Sequence, residues 1–521
     1  MNPCRTRIIT VDQLLPEAEA LHARGARFQM AWAERGMQGG TDVHYLVAPP
    51  LSAGAASTAA MFECLTLQNV RELPTLTHVI PLLGWYEREI MDQHGLICTG
   101  HPQPWPLLFH PGHLPRTPLL ADAAENLPDD DAPISSSNAP DVFDEHDPPG
   151  LGLPEITGGQ KQVQSLIWGP VRADVVETGA FGFAYVGELI LHHQPRLFFK
   201  HRQIEARMAG RSADQGLFLA ERVSGVGSVA HALAFAQAVE TASGCAVPEP
   251  AHWLRVLLQE LERLYNHLHY FGLLAKTTTL KVASAEGFWL EEQLKQILGR
   301  LTGSRFGRGL IVPGGLRRTF SAQALETTQR ALLALRPRVA AYLARMNRTA
   351  SHLDRLISTG VLDRKTALDQ GATGPVERAS GLDRDLRRDH PYAAWPHLDF
   401  TVTTAAAGDA QARAAVRGGE IATSFEVLER VLNHLLACEP EPVYQPLAAH
   451  WQGSGLGWVE SPRGSLYYAI TGADGRLTRV KIKSPSFSNW RVFPFTVHGS
   501  NMMDYAINEA SFGLTIAGCD R

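Results

Sequence analysis

Cysteine is scarce in this chain and is never clustered. The sequence has six cysteines and no Cys-x-x-Cys pair: Cys4, Cys64, Cys98, Cys245, Cys438 and Cys519. Zinc and iron–sulfur sites use thiolates at short, regular spacings. The sequence therefore offers no such site of its own, and scattered free thiols in a large chain are typical of a reducing cytoplasm.

Long apolar runs and blocks of one charge are also missing. No run approaches the ~18 apolar residues that a membrane-spanning helix needs, and residues 1–13 contain no apolar core of signal-peptide length. The formal net charge is −5 over 521 residues, without a lysine- or arginine-rich block, which argues against a nucleic-acid partner. We expect a soluble or membrane-peripheral protein.

The chain is long and apolar enough, at 45% hydrophobic residues, to bury a large core. Residues 1–120 predict a small domain of helices and strands, with a helix at Leu14–Ala23 and strands at Arg27–Trp32 and Asp42–Pro49. Residues 121–160 are acidic and rich in Pro and Ser, which predicts a linker. Asp144–Asp147 in that linker could be a metal site, but a solvated charge run is the simpler interpretation, and we assign no metal there.

Residues 161–521 predict a large helical domain flanked by antiparallel strands, so that the whole chain is of the α+β class. Strand-like segments come first, at Ser165–Trp168, Phe181–Val186 and Glu188–Leu191. The helical patterns lie at Pro248–Gly272, Glu286–Leu301, Ala322–Ile357 and Gly408–Leu436. Further strands are predicted at Trp458–Glu460, Gly464–Ile470 and Leu477–Lys483, the last two joined by a hairpin turn at Gly472–Gly475.

Two charged stretches each have two interpretations. Leu83–Gly95 mixes aromatic and charged residues before a Gly/Pro turn and is either an interface or a charged helix surface. Glu260, Arg263 and His267 are spaced to line up on one helix, where they could form a functional row or a helix–helix contact. We favour the contact, because buried charges are usually paired.

The stretch Glu221–His231 places two glycines immediately before a predicted helix. Gly225 and Gly227 lack a Cβ and tolerate positive φ, so the backbone here can approach a ligand or cluster closely. A Gly-x-Gly turn can also cradle phosphate, but no strand or acidic partner of a dinucleotide fold accompanies it. A tight turn into the helix is the alternative interpretation.

Several blocks in a fixed order make the chain resemble one family, the large subunit shared by complex I (NADH–quinone oxidoreductase) and the membrane-bound group 4 [NiFe] hydrogenases. Residues 1–120 similarly resemble the small accessory subunit of complex I, fused in front, through Gly84–Glu89 and Gly100–Pro102. The blocks of the large domain are Trp168–Pro170, Lys200–Glu205, Arg222–His231, Arg255–Leu268, Pro313–Gly315, Gly374–Gly381, Arg388–Tyr392, Ser461–Gly464, Ser484–Phe487 and Asp520–Arg521.

The resemblance also shows what this chain has lost. Hydrogenase members hold nickel and iron with two Cys-x-x-Cys pairs, and the corresponding positions here are Ser224, Gly227, Thr515 and Gly518, with Cys519 one place off. The resemblance therefore implies no NiFe centre. Complex I members also contact the quinone headgroup with a histidine and a tyrosine. The corresponding segments here, Val171–Glu177 and Arg222–Gly225, contain neither residue.

The resemblance assigns roles to residues that remain. Arg222 matches the arginine beside the terminal [4Fe-4S] cluster of the partner subunit, where a guanidinium would raise the cluster potential; an ordinary interface salt bridge is the alternative. His231 and His201 could relay protons or could be core histidines. Ser224, Gly225, Gly227 and His201 would line the cavity where an acceptor is reduced.

Our first hypothesis is an oxidoreductase subunit, active only within a membrane-associated complex. It would dock on an iron–sulfur (B-type) subunit and on antiporter-like and H-type membrane subunits, at the cytoplasmic face of the inner membrane. The chain would bind no cofactor itself, quinone is a possible acceptor, and NAD(H) would bind elsewhere in the complex. The second hypothesis is a non-catalytic coupling subunit, and the third is an active [NiFe] hydrogenase.

Overall fold

The computed structural model describes residues 3–36, 39–50, 61–109, 119–120, 163–172, 177–439 and 441–521. These residues form an α+β fold in which a small sheet-based unit packs on a larger helical one. In this described part of the chain, no helix is both long and apolar enough to cross a membrane. The predicted linker, including Asp144–Asp147, lies outside the described residues.

The N-terminal unit is built on a four-stranded sheet in the order β1-β4-β3-β2, with β1 parallel to β4 and the other pairs antiparallel. Helix α1 buries Leu14, Ala18 and Leu21, one stripe at helical spacing. The elements are β1 Cys4–Ile8, α1 Val11–Ala23, β2 Arg27–Arg35, β3 Thr41–Ala48, β4 Phe62–Val70, β5 Glu72–Pro74, α2 Gly84–His94 and β6 Ile97–Thr99.

The large unit begins with an antiparallel sheet and continues into helices. Its first half comprises β7 Gln164–Trp168, β8 Ala180–Val186, β9 Leu189–Arg196, α3 Ile204–Met208, α4 Ala213–Ala220, α5 Ser228–Ser243, α6 Glu249–Thr277, α7 Lys281–Thr302, β10 Ile311–Val312 and β11 Gly315–Leu316. The second half comprises α8 Ala322–Met346, α9 Ala350–Leu356, α10 Arg364–Asp369, α11 Pro375–Ala379, α12 Leu386–Asp389, α13 Ala410–Ala437, β12 Gly453–Ser461, β13 Gly464–Ala473, β14 Arg476–Lys483, α14 Pro485–Val492, α15 Tyr505–Phe512 and α16 Ile516–Asp520.

Helices α5 and α6 form the centre of the large unit. Helix α6 is buried along most of its length, on its charged positions as well as its apolar ones. Helix α5 lies directly on strand β12, where an added Cβ at Gly457 would come within 1.9 Å of the Ala234 carbonyl oxygen. Glycine at this position therefore permits the close approach of helix and strand.

The sequence predicted the long helices and eight of the fourteen labelled strands to within about five residues, with one clear error. It did not predict β1, β4, β5, β6, β10, β11, α4, α14, α15 or α16. The pattern Ala322–Ile357 is not one helix, because α8 ends at Met346 and α9 begins at Ala350, with residues 347–349 between them. There the Thr349 hydroxyl bonds the Arg345 carbonyl, so a side chain satisfies one of the free carbonyls at the end of α8. The short helices α3, α9, α10, α11 and α12 lack enough turns for a periodic signal and were not predicted.

Helix α2, within the stretch Leu83–Gly95, is an interface between the two units. Its Glu89 is 2% exposed and accepts from Lys481 Nζ at 2.6 Å and from Arg521 Nη2 at 2.8 Å. Arg521 also bonds Glu205 at 3.1 Å, which ties α3 into the same cluster. Of the two interpretations of this stretch, the interface is confirmed.

The row Glu260, Arg263 and His267 on α6 is a helix–helix contact. Arg263 pairs with Glu260 at 3.0 Å, and His267 Nε2 lies 2.8 Å from Glu420 Oε2 on α13. Arg378 donates to the other Glu420 oxygen at 2.7 Å. The buried charges are paired, as the favoured interpretation required.

We predict that Glu89→Gln destabilises the fold by about 3 kcal/mol, because it leaves two buried cations, Lys481 and Arg521, with less compensation. The measurement is the urea midpoint of the purified chain. Arg336→Ala, which removes exposed ion pairs to Glu426 and Glu429, is the control and should cost no more than about 1 kcal/mol. Equal shifts for the two variants would contradict this account of the interface.

Candidate functional site

The glycine-containing turn, residues 221–227, joins α4 to α5 and is held from several sides. Ser228 Oγ donates to the Glu221 carbonyl at 3.0 Å, and Arg308 Nε donates to Ser228 Oγ at 3.0 Å. Asn266 Nδ2 donates to the Val226 carbonyl at 2.8 Å. The turn is therefore a fixed structure and not a free loop.

The glycines in this turn do not use positive φ, contrary to the sequence-based expectation. Gly227 has φ −126°, and neither it nor Gly225 is among the glycines with positive φ. A Cβ added at Gly227 would lie 3.4 Å from His231 Cδ2, an ordinary van der Waals distance, so the packing does not require glycine there either. The predicted helix that follows is confirmed as α5.

The N-terminus of α5 is capped by a buried carboxylate. Glu262 accepts from the amides of Val229 at 2.8 Å and Ala230 at 2.9 Å. Burial raises the pKa of Glu262 to about 7 in spite of these two bonds. The titratable carboxyl of Glu262 thus lies directly behind the turn of residues 221–227.

The second turn that matches the family's ligand positions lies near the end of the chain, at Thr515–Gly518. The Thr515 hydroxyl accepts from the Gly518 amide at 3.2 Å and lies 3.3 Å from Ser486 Oγ. Glu177 accepts from the amides of Ile516 and Ala517. These contacts fix the first turn of α16.

One guanidinium joins the two turns, residues 221–227 and 515–518, which together we call the redox-loop site. Arg202 donates to the carbonyls of Arg222 at 2.9 Å, Val223 at 2.6 Å and Ala517 at 3.2 Å. In the sequence, Arg202 stood out only as part of the block Lys200–Glu205, with no role of its own. Arg202 therefore connects the backbones of the two turns that contain the four matched positions, Ser224, Gly227, Thr515 and Gly518.

The residues at those four positions do not fit a nickel–iron centre. Ser224 and Thr515 offer hydroxyls in place of soft thiolates, and Gly227 and Gly518 offer no side chain. An added Cβ at Gly518 would lie 2.6 Å from the Thr515 hydroxyl, so the present packing leaves no room for a cysteine there. Cys519 does not replace them, because it is fully buried and burial raises its thiol pKa. Within the described ranges, no group of three or more His, Cys, Asp or Glu side chains could hold a metal ion.

Arg222 stands at the rim of the site, with 38% of its side chain exposed. Its guanidinium stacks 3.5 Å from the centroid of the Phe218 ring, and Phe218 is itself 56% exposed. Nη1 donates to the Phe218 carbonyl at 2.8 Å, and the contact with Glu221 is a longer 3.5 Å. The guanidinium is thus oriented by Phe218 on helix α4 and remains open to solvent.

His231 and His201 are both hydrogen-bonded, His231 in the core and His201 partly buried. His231 Nδ1 lies 2.8 Å from the buried Tyr468 hydroxyl, and burial, together with the nearby Arg202, lowers its pKa to about 3. His201 Nδ1 donates to the Asp520 carbonyl at 2.7 Å, and burial lowers its pKa also. The lowered pKa of each ring favours the neutral form at neutral pH, which agrees with the core-histidine interpretation, and the proton-relay role stays a prediction.

We predict that His231→Gln reduces the loss of stability between pH 7 and pH 5. A histidine with a folded pKa near 3 cannot take up the proton that the unfolded chain binds below about 6.5, so the native protein loses about 2 kcal/mol at pH 5. Urea midpoints at both pH values, with exposed His450→Gln as control, measure the difference. An unchanged pH dependence in His231→Gln would contradict the neutral, buried assignment.

Two further residues near the site were not anticipated individually. Arg463, from the turn between β12 and β13, donates to the Gly513 carbonyl at 2.7 Å and to Asn266 Oδ1 at 2.6 Å. Asp520 accepts from the Lys200 amide at 3.0 Å, and burial raises its pKa to about 7. Both lie inside blocks that carried the family resemblance, which was the only signal for them.

Known families match this chain over most of its length. Residues 284–452 and 449–521 match the respiratory-chain NADH dehydrogenase 49 Kd subunit. Residues 202–286 match nickel-dependent hydrogenase, and residues 8–126 match the respiratory-chain NADH dehydrogenase 30 Kd subunit. Hydrogenase-4 component G of Escherichia coli (strain K12) is 30% identical over 470 residues, which cover 88% of this chain and 78% of that protein.

The chain belongs to the family of complex I and hydrogenase-4 large subunits. The C/D protein of NADH-quinone oxidoreductase from Rhodopseudomonas palustris (strain BisB18) is 28% identical over 481 residues, covering 86% of this chain and 82% of that one. Membership confirms the predicted resemblance, including the accessory-subunit part, and makes the chain an oxidoreductase component.

A solved structure supports the fold independently. A chain of the membrane-bound sulfane sulfur reductase, an archaeal respiratory membrane complex, superimposes with a TM-score of 0.65 at 24% identity. The match covers 69% of this chain and 98% of that one. At this identity the likeness shows the fold alone.

Proposed function

We propose that this chain is the membrane-peripheral large subunit of a complex I-like oxidoreductase that works without a metal centre of its own. It would lie on the cytoplasmic face of the inner membrane and contact an iron–sulfur small subunit at the rim formed by Arg222 and Phe218. Electrons from the partner's [4Fe-4S] cluster would pass to a quinone-type acceptor near Ser224–Gly227, coupled to ion movement by antiporter-like and H-type membrane subunits. NAD(H) would bind only elsewhere in the complex.

The observation that carries this proposal is the contrast between Arg222 and the rest of its turn. Ser224 and Val223 are buried and Arg202 fixes the backbone, whereas the Arg222 guanidinium is held out beside an exposed aromatic ring. An exposed Arg–Phe pair on a rigid turn is typical of a contact surface for another protein. A positive charge at such a contact would stabilise a reduced, more negative cluster.

A non-catalytic coupling subunit is the second candidate, and the emptied metal positions favour it. The Thr515 hydroxyl is already hydrogen-bonded to the Gly518 amide, and Gly227 and Gly518 carry no side chain that could hold a metal. In such a subunit the two turns would keep their shape and transmit partner movements without binding an acceptor. Quinone reduction by the purified complex distinguishes the two candidates.

We predict that Arg222→Gln makes the potential of the partner cluster more negative and slows quinone reduction by a low-potential donor. Arg222→Lys keeps the charge and should recover most of the potential, though without the planar stacking on Phe218. Redox titration of the cluster signal in the purified complex measures the shift. Arg211→Gln, an exposed arginine on the α3–α4 turn, is the matched control, and a potential unmoved in all three variants would refute the cluster-facing role.

We also predict that the purified complex contains no stoichiometric nickel, because the chain presents no thiolate at the four matching positions. Elemental analysis after growth in nickel-supplemented medium is the measurement. The third hypothesis, an active [NiFe] hydrogenase, requires about one nickel per chain. Finding that amount would overturn the metal-free proposal.

A further inference from the structure

A cavity of about 530 Å³ lies between the two units, away from the redox-loop site. Its walls come from the start of α2, from the chain after β6, from the end of β9 and from the segment after α14. Clefts of this size at domain interfaces are the usual position of small-molecule sites. The proposed electron-transfer function does not involve this cavity.

The charged groups in the walls of this cavity carry one sign. Three arginines from both units line it, Arg88, Arg196 and Arg491, and none of its described lining residues is Asp or Glu. Its histidines are His101, His192, His193 and His498, and burial lowers the pKa of the first three, so the arginines carry the positive charge. The cavity of about 190 Å³ near Arg27 differs, because its lining mixes arginines with Glu377, Asp385 and Glu460. A cleft with charges of a single sign between low-dielectric walls concentrates ions of the opposite sign.

Two of these arginines form no ion pair with any residue that the structure describes, namely Arg88, which is buried, and Arg491, which is partly buried. Arg88 donates through Nε and Nη2 to the carbonyls of Trp105 and Pro106, and Arg491 donates to those of Pro81 and Gln370. Burial lowers the pKa of each guanidinium to about 9, and so both remain charged at neutral pH. Carbonyl dipoles do not neutralise a buried cation, and an anion in the cavity would.

The nearest acidic side chains on α2 are already engaged. Glu87 accepts from the Leu76 amide at 2.8 Å and from the Thr77 hydroxyl at 2.9 Å, and burial raises its pKa. Asp92 accepts from the amides of Leu107 and Leu108 at 2.8 and 2.7 Å. Within the described residues, Arg88 Nη1 makes no hydrogen bond and can reach a ligand.

Aromatic side chains line the same cavity. Trp85 packs edge-on against Phe198, and Arg88 lies 6.0 Å from the centroid of the Trp105 ring. Trp105 and Phe495 are 37% and 48% exposed, so their faces are accessible. Flat aromatic walls beside guanidinium groups favour a ligand that combines a planar ring with an anionic group.

We propose that this interdomain cavity binds a small phosphate-bearing aromatic anion of the nucleotide class. Arg88 and Arg491 hold the phosphate, and Trp105 stacks on the ring system. The ligand bridges α2 of the N-terminal unit and the α14 region of the large unit. Its binding stabilises their mutual arrangement, independently of the redox-loop site.

The test uses the purified full-length chain with two probes, AMP and ribose 5-phosphate, which differ only in the aromatic base. Titration calorimetry should show AMP binding more tightly than ribose 5-phosphate. Arg491→Gln should weaken both probes about tenfold, because one charge-assisted contact is lost. Trp105→Ala, at a partly exposed indole, should weaken AMP alone.

Arg413→Gln is the matched control, since Arg413 is another buried guanidinium that donates to backbone carbonyls, those of Gly360 and Gly408, but lies outside the cavity. The Arg413→Gln variant should bind both probes with the same affinity as the unchanged chain. The thermal melting of every variant is measured as well. Failure of both probes to bind, or equal weakening by Arg413→Gln and Arg491→Gln, would overturn the site. Equal affinity for the two probes would overturn the nucleotide class.

Discussion

Burying charge between two packed units is the constraint on which this structure depends. Glu89 and Glu205 meet Lys481 and Arg521 where almost no side-chain surface remains exposed. Burial alone would raise the pKa of Glu205, but the cations around it outweigh burial and lower that pKa to about 2. Since removing one member leaves the others uncompensated, the cluster requires both units to be in place.

This cluster also positions the redox-loop site. Arg521 follows Asp520 directly, and Arg202 lies three residues before Glu205. The residues that hydrogen-bond to the two turns are therefore close in sequence to the residues that join the two units. On the other side, Asn266 and Glu262 project from α6, whose own charges are paired with α13. The turns are thus held by elements that are rigid for other reasons.

The general plan could be predicted from the sequence because long elements carry strong periodic signals. Helix α6 and the hairpin of β13 and β14 were located correctly, and an interface was one of the two interpretations of the mixed stretch around Glu89. The short helices were missed, and the roles of Arg202 and Glu177 could not be deduced, because their partners lie hundreds of positions away in the sequence. His231 shows the same limit, since its partner Tyr468 is 237 residues away.

The fold does not depend on cysteine at the four matched positions, and the contacts explain why. Arg202 and Glu177 bind backbone carbonyls and amides of the two turns, and Glu262 binds amides at the start of α5 directly after the first turn. These backbone groups are the same whichever side chain each position carries. A metal ligand contributes to stability only while its metal is bound. In this chain the backbone contacts keep the shape of both turns without a contribution from metal ligands.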